Sequence, residues 1–76
     1  MIRNTYLYND ARDIYTLRDR NGYRTVTVGI IDGYLYQLNV HGVFQVVYPY
    51  ITGNDSKKLC DEALQLKRLS LPYGWK

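Results

Sequence analysis

From residue 13 to residue 48 the chain alternates apolar and polar positions with a period of two. Three dipeptides ending in glycine interrupt the alternation: Asn21-Gly22, Asp32-Gly33 and His41-Gly42. Such alternation marks strands, and Asn-Gly or Asp-Gly between two runs marks a hairpin turn, because these residues accept positive φ. The pattern predicts four antiparallel strands, at about 13–20, 23–30, 34–40 and 43–48.

The turns also predict the register. A two-residue loop at Asn21-Gly22 pairs Arg20 with Tyr23, Asp19 with Arg24, Leu17 with Val26 and Tyr15 with Val28. One face of that hairpin is then apolar, and Thr16, Arg18, Thr25 and Thr27 occupy the other. At Asp32-Gly33 two registers compete. A two-residue loop pairs Ile30 with Leu35 and sends Tyr34, Tyr36 and Leu38 to the polar face. A three-residue loop, Ile31-Asp32-Gly33, pairs Ile30 with Tyr34 and keeps the apolar face continuous. The three-residue loop is the expectation, since a one-residue slip moves every side chain to the opposite face. The same reasoning at Val40-His41-Gly42 pairs Leu38 with Phe44, Tyr36 with Val46 and Tyr34 with Tyr48. Tyr15, Tyr34, Tyr36 and Tyr48 then point inward, and Pro49, which cannot donate to a ladder, ends the last strand.

Before the strands, Ile2 and residues 5–8 suit a short edge strand, while Asn9 and Asp10 suit the cap of one helical turn. After them, residues 52–56 are rich in helix-capping types, and Leu59, Ala63 and Leu66 fall on one helical line. Cys60, Leu64 and Leu69 widen that line past half the circumference, more than one sheet face requires. The helix is expected over about 54–69, with Pro72 stopping it and residues 70–76 forming an aromatic tail. The fold class is α+β: a four-stranded antiparallel β-meander, open to a fifth short N-terminal strand, with one C-terminal helix packed on one face. All 76 residues form one small domain.

Composition narrows the chemistry. A hydrophobic share of 46% with 22% charged residues describes a chain that folds, and nine tyrosines favour both strands and binding surfaces. A single cysteine excludes an internal disulfide, the N-terminus has no secretory apolar region, and no run reaches transmembrane length. A cytoplasmic protein is the expectation, in the host cytoplasm if the source is viral. With one histidine, His41, and one cysteine, Cys60, neither a metal site nor a nucleophile–base pair is readable, and glycine-rich phosphate loops are absent. No cofactor and no enzymatic activity are expected.

The expected register lines up Ile14, Gly29, Leu35 and Val47 as an apolar outer row, notched where Gly29 lacks a side chain. With Tyr50, Tyr73 and Trp75 as aromatic anchors, this row is the candidate protein-binding surface, for a partner or a second copy of the chain. At the far end Arg18, Arg20, Tyr23 and Arg24 form a basic-aromatic group, the candidate surface for nucleic acid. The net charge of +3 is modest for a dedicated nucleic-acid binder, so protein binding ranks first. Stand-alone domains of this size and make-up are common among phage-encoded inhibitors of host machinery, anti-CRISPR and other counter-defence proteins included. That analogy of class narrows the expectation to an inhibitor of a host protein or defence complex.

Overall fold

The computed structural model describes residues 2–18, 22 and 25–71. Among these the chain forms a five-stranded antiparallel sheet and one helix, an α+β fold. The strands are β1 (Thr5–Leu7), β2 (Asp13–Arg18), β3 (Thr25–Ile31), β4 (Tyr34–Leu38) and β5 (Val43–Val46). A single 3-10 turn, Tyr8–Asp10, follows β1, and the helix α1 spans Ser56–Gln65. The strand order is β1-β5-β4-β3-β2, so the N-terminal strand adds to the far edge of the meander, against β5.

Two of the three expected registers hold. Leu17 pairs with Val26 and Tyr15 with Val28, as a two-residue first loop requires; Gly22 is left-handed at φ 74°, and the pairs at Arg20 and Asp19 fall outside the described residues. Tyr36 pairs with Val46 and Leu38 with Phe44, but the expected pair of Tyr34 with Tyr48 does not form, because β5 ends at Val46 and Tyr34 bridges to Thr52 instead. The turn between β4 and β5 has three residues closed by Gly42 at φ 77°, with the Asn39 N–H donating to the Val43 carbonyl at 2.9 Å. Asn39 Oδ1 accepts from the N–H groups of His41 and Val43, which stiffens this loop from within.

The middle hairpin corrects the expectation. Ile30 pairs with Leu35 and Val28 with Gln37 across a two-residue Asp32-Gly33 turn. Both turn residues have positive φ, 52° and 78°, the conformation that matches the right-handed twist of the flanking strands. The three-residue alternative was favoured to keep Tyr34, Tyr36 and Leu38 off a polar face. That face is not polar in the folded chain: it is a second core. With both faces buried, alternation no longer selects the register, and the turn chemistry decides it.

The two cores divide cleanly. On one face Val26, Val28, Leu35 and Val47 pack under α1 through Cys60 and Ala63, joined by Leu69. On the other face Tyr36 and Phe44 are buried with Ala11, flanked by Tyr6, Ile14, Ile31, Tyr34, Leu38 and Val46. Here the Phe44 ring lies over Gly29, where an added Cβ would come within 3.2 Å of Phe44 Cε1. Tyr6 meets Tyr36 edge-on at 5.2 Å, Tyr8 stacks on Phe44 at 5.8 Å, and the Tyr36 hydroxyl donates to the Arg3 carbonyl at 2.6 Å.

The chain's connectivity explains how the second core is closed. β1 and β2 are consecutive in sequence yet lie on opposite edges, joined by residues 8–12 alone. Leu7 sits level with Val43 and Asn39, whereas Asp13 sits level with Ile30 and Leu35. In a flat sheet, strand spacing and rise would put Leu7 and Asp13 roughly 23 Å apart. Six Cα steps span at most about 21 Å, and a 3-10 turn shortens that further. The sheet must therefore curl until its edges approach, with the connection laid across the concave side. Ala11, buried against Tyr36 and Phe44, marks where it crosses.

The helix is shorter than its apolar pattern predicts. Asp55 caps its start, its side chain accepting from the Lys58 N–H at 3.2 Å. It ends at Gln65 because Lys67 turns left-handed, φ 54°, with Arg68 N–H donating to the Ala63 carbonyl and Lys67 N–H to that of Leu64. This is a Schellman turn with lysine in the place glycine prefers. Pro72 is not needed to stop the helix. Leu66 consequently leaves the apolar line and is 59% exposed, while Leu69 enters the core from beyond the turn. The excess apolar arc was an effect of extending the helix too far.

Two backbone substitutions test these turns. Gly33→Val places a branched side chain at φ 78°, beside the Gly53 carbonyl, and should lower unfolding free energy by more than about 1 kcal/mol. Lys67→Gly relieves a left-handed lysine and should raise it by about 1 kcal/mol. Urea denaturation reads both, and opposite signs are the expected result.

Candidate binding surface

The residues expected to form the apolar outer row are dispersed by the register of the middle hairpin. Leu35 and Val47 lie on the helix side, 0% and 3% exposed, in the core beneath α1. Gly29 is buried under the Phe44 ring, and Ile14 is half-buried at the margin of the concave core. No open row joins these four, because the row that includes Ile14 and Gly29 continues through Tyr36 and Val46. Of the aromatic anchors, Tyr50 is exposed, while Tyr73 and Trp75 lie outside the described residues. Of the basic-aromatic group, Arg18 is exposed at the end of β2; Arg20, Tyr23 and Arg24 lie outside the described residues.

The structure brings together a different surface. After β5 the Val47 N–H donates to the Leu35 carbonyl at 2.9 Å, and the Leu35 N–H donates to the Ile51 carbonyl at 3.2 Å. Thr52 then bridges to Tyr34, and Gly53 N–H donates to the Gly33 carbonyl at 2.9 Å. The chain thus leaves β4 and returns to it at the same residue, and residues 48–50 form the excursion. Tyr48, expected inside, is 75% exposed, and Tyr50 is 48% exposed; their rings meet edge-on at 5.8 Å. The Tyr48–Pro49 peptide is cis.

Beside this corner an open groove of about 440 Å³ runs over the part of the sheet that α1 leaves bare. Its lining includes Asn39, Val40, Gln45, Tyr48 and Arg68. Gln37 and Ser70 also line it, in a two-way clamp: Gln37 Nε2 donates to the Ser70 carbonyl and Ser70 N–H donates to Gln37 Oε1, each at 2.8 Å. The clamp ties the segment after α1 to β4. It also gives the Gln37 amide hydrogen-bond partners beside the core beneath α1. Arg68 is the charged residue of this lining, and Val40, 96% exposed, stands at its turn end. The sequence does carry a signal for the corner: Tyr-Pro-Tyr directly after a strand, where proline forbids further ladder pairing. The assumed pairing of Tyr34 with Tyr48 hid it.

The two residues with nucleophile–base chemistry are placed differently from one another. Cys60 is buried in the core beneath α1, and burial, with Asp61 adding to it, pushes its thiol above the ordinary cysteine value. His41 is exposed in the β4–β5 turn. Among the described residues no group of three His, Cys, Asp or Glu side chains is arranged to hold a metal ion. Among them too, no helix is long and apolar enough to cross a membrane. Comparison with protein-family models, curated proteins and solved structures finds no match to this chain.

Burial also raises the Tyr36 hydroxyl above its ordinary value, with the neighbouring Tyr6 and Asp32 adding to the shift and Arg3 opposing it. The folded state therefore holds the Tyr36 and Cys60 protons more tightly than the unfolded chain does. Their contribution is fully present below the unfolded values and is lost as pH rises through the folded ones. Unfolding free energy should fall above about pH 9, more steeply in the wild type than in Tyr36→Phe or Cys60→Ala. Urea midpoints at neutral and alkaline pH measure the difference, and parallel curves in all three proteins would contradict it.

Proposed function

We propose that this chain is a small, non-enzymatic protein-binding module that grips its partner with the Tyr48–Tyr50 corner and the groove beside it. The observation that supports this most directly is the exposed tyrosine pair, held on a backbone excursion whose two ends are fixed to Leu35. Tyrosine offers a broad apolar ring and a polar tip with little side-chain entropy to lose, which makes it a frequent interface anchor. The adjoining groove supplies the complement: amide side chains, an apolar rim at Val40 and one guanidinium at Arg68. A narrower form of this reading, an inhibitor of a host protein or defence complex of the phage type, rests on size and composition alone.

Tyr48 and Tyr50 project away from both cores, so Tyr48→Ala and Tyr50→Ala should each change stability by less than about 0.5 kcal/mol. Each should weaken partner binding by about 30-fold, the loss expected of an interface anchor. Affinity capture with the wild type, followed by titration of the captured partner against both variants, tests this; undiminished binding by both would remove the corner as the site. A nucleic-acid titration at two salt concentrations, run in parallel, separates the other reading. Phosphate-driven binding must weaken steeply as salt rises.

A further inference from the structure

The strand β2 is one edge of the sheet, and its residues Asp13, Tyr15, Thr16 and Arg18 are exposed. Sheet edges are ordinarily blunted by shortness, proline, lysine or a bulge, because an open row of N–H and carbonyl groups invites another strand. The opposite edge, β1, is three residues long. By contrast β2 has six residues, carries neither proline nor lysine, and keeps an unbroken register with β3 from Asp13–Ile30 to Arg18–Thr25. Both cores also run out at this strand: Leu17 is half-buried at the margin of the core beneath α1, and Ile14 at the margin of the concave core. We propose that β2 is a pairing edge for a second copy of this chain, joining two sheets into one across a two-fold axis at Thr16. The strand β3 separates it from β4, which anchors the Tyr48–Tyr50 corner, so pairing here does not use that surface.

The ladder fixes which backbone groups β2 offers. The Leu35 carbonyl accepts from Val47, and the Asn39 N–H donates to Val43, so both residues bond towards β5. Bonding direction alternates along an antiparallel strand, which turns Tyr34 and Tyr36 towards β3. Carried through the pairs of Tyr36 with Gly29 and Val28 with Tyr15, the alternation turns Tyr15 and Leu17 towards β3, and Ile14, Thr16 and Arg18 outwards. In a two-fold pair of edge strands outward residues meet outward residues, so the axis passes through a residue. At Thr16 it sets Tyr15 against Leu17 of the second copy, twice over, and Thr16 against its own equivalent. The Thr–Thr pair is favourable across strands, and the Tyr15–Leu17 pairs remove apolar surface from water. On the concave side the Arg18 stem covers Ile14 of the second copy while its guanidinium stays in water. An axis at Tyr15 would instead set Arg12 against Arg18, two like charges. The next pair beyond the Thr16 ladder, Asp13 with Asp19, is also like-charged, which confines the pairing to residues 14–18.

Such a ladder holds about six hydrogen bonds, and so short an interface falls below the roughly 1,200 Å² of a stable complex. A reversible dimer with Kd on the order of 10–100 µM is expected. Sedimentation of the full chain between about 10 µM and about 1 mM measures it, and concentration-dependent amide shifts should fall on residues 14–18. Thr16→Lys places two ammonium groups side by side at the axis and should weaken the dimer at least about tenfold, with part of the loss recovered in high salt. Thr16→Pro removes an N–H that faces away from β3 and should abolish the dimer. Far-UV circular dichroism checks that each variant folds; if the proline variant does not, the lysine variant decides alone. The proposal is overturned if the wild type stays monomeric to about 1 mM, or if folded Thr16→Lys dimerises as tightly as the wild type. A dimer lost in Tyr48→Ala and Tyr50→Ala but kept in Thr16→Lys would overturn it too, and would assign self-association to the corner.

Discussion

The conformation of two residues, Asp32 and Gly33, decides how the rest of the molecule is assembled. Both take positive φ, which closes the β3–β4 hairpin with no residue to spare and fixes Ile30 opposite Leu35. From that pairing, Leu35 and Val47 go to the helix side and Tyr36 to the concave side. A single added residue in the turn would exchange them. The buried hydroxyl of Tyr36 would then lie beneath an apolar helix without the Arg3 carbonyl that now accepts its hydrogen bond.

A chain of 76 residues has little interior to divide, yet its described residues maintain two cores. It does so by covering each face with a different kind of element. On one side a ten-residue helix packs through Cys60 and Ala63, and the segment after it is clamped down by Gln37 and Ser70. On the other side no second helix is needed, because the curl forced by the short β1–β2 connection lets the sheet enclose its own aromatic residues. Gly29 is part of that economy: its missing side chain is the space into which the Phe44 ring fits.

Much of this was legible in the sequence, and the parts that were not trace to the middle hairpin and to the end of the helix. Asn21-Gly22 and Val40-His41-Gly42 gave the correct registers because turn chemistry and alternation agree there. At Asp32-Gly33 they disagree. Alternation was given priority on the premise that one face meets solvent, which a curled sheet with two cores does not satisfy. The misplaced row of Ile14, Gly29, Leu35 and Val47 followed directly from that premise, whereas Tyr48 was placed inward because β5 was carried past Val46, where the ladder ends. The helix end was overrun for a separate reason: a lysine adopts the left-handed turn, and composition gives no warning where glycine is absent. The exposed corner does have a local signal, Tyr-Pro-Tyr directly after a strand, but the expected pairing of Tyr34 with Tyr48 carried the ladder through it.

The excursion at residues 48–50 begins and ends on the backbone of one residue, Leu35, through its carbonyl and its N–H. What lies between those two bonds is mechanically separate from what holds the fold together. Length and side-chain identity in the corner can therefore diverge while both cores stay intact. This gives the scaffold a place where recognition can evolve rapidly under a conserved framework. It also makes the corner a natural position for grafting a foreign loop.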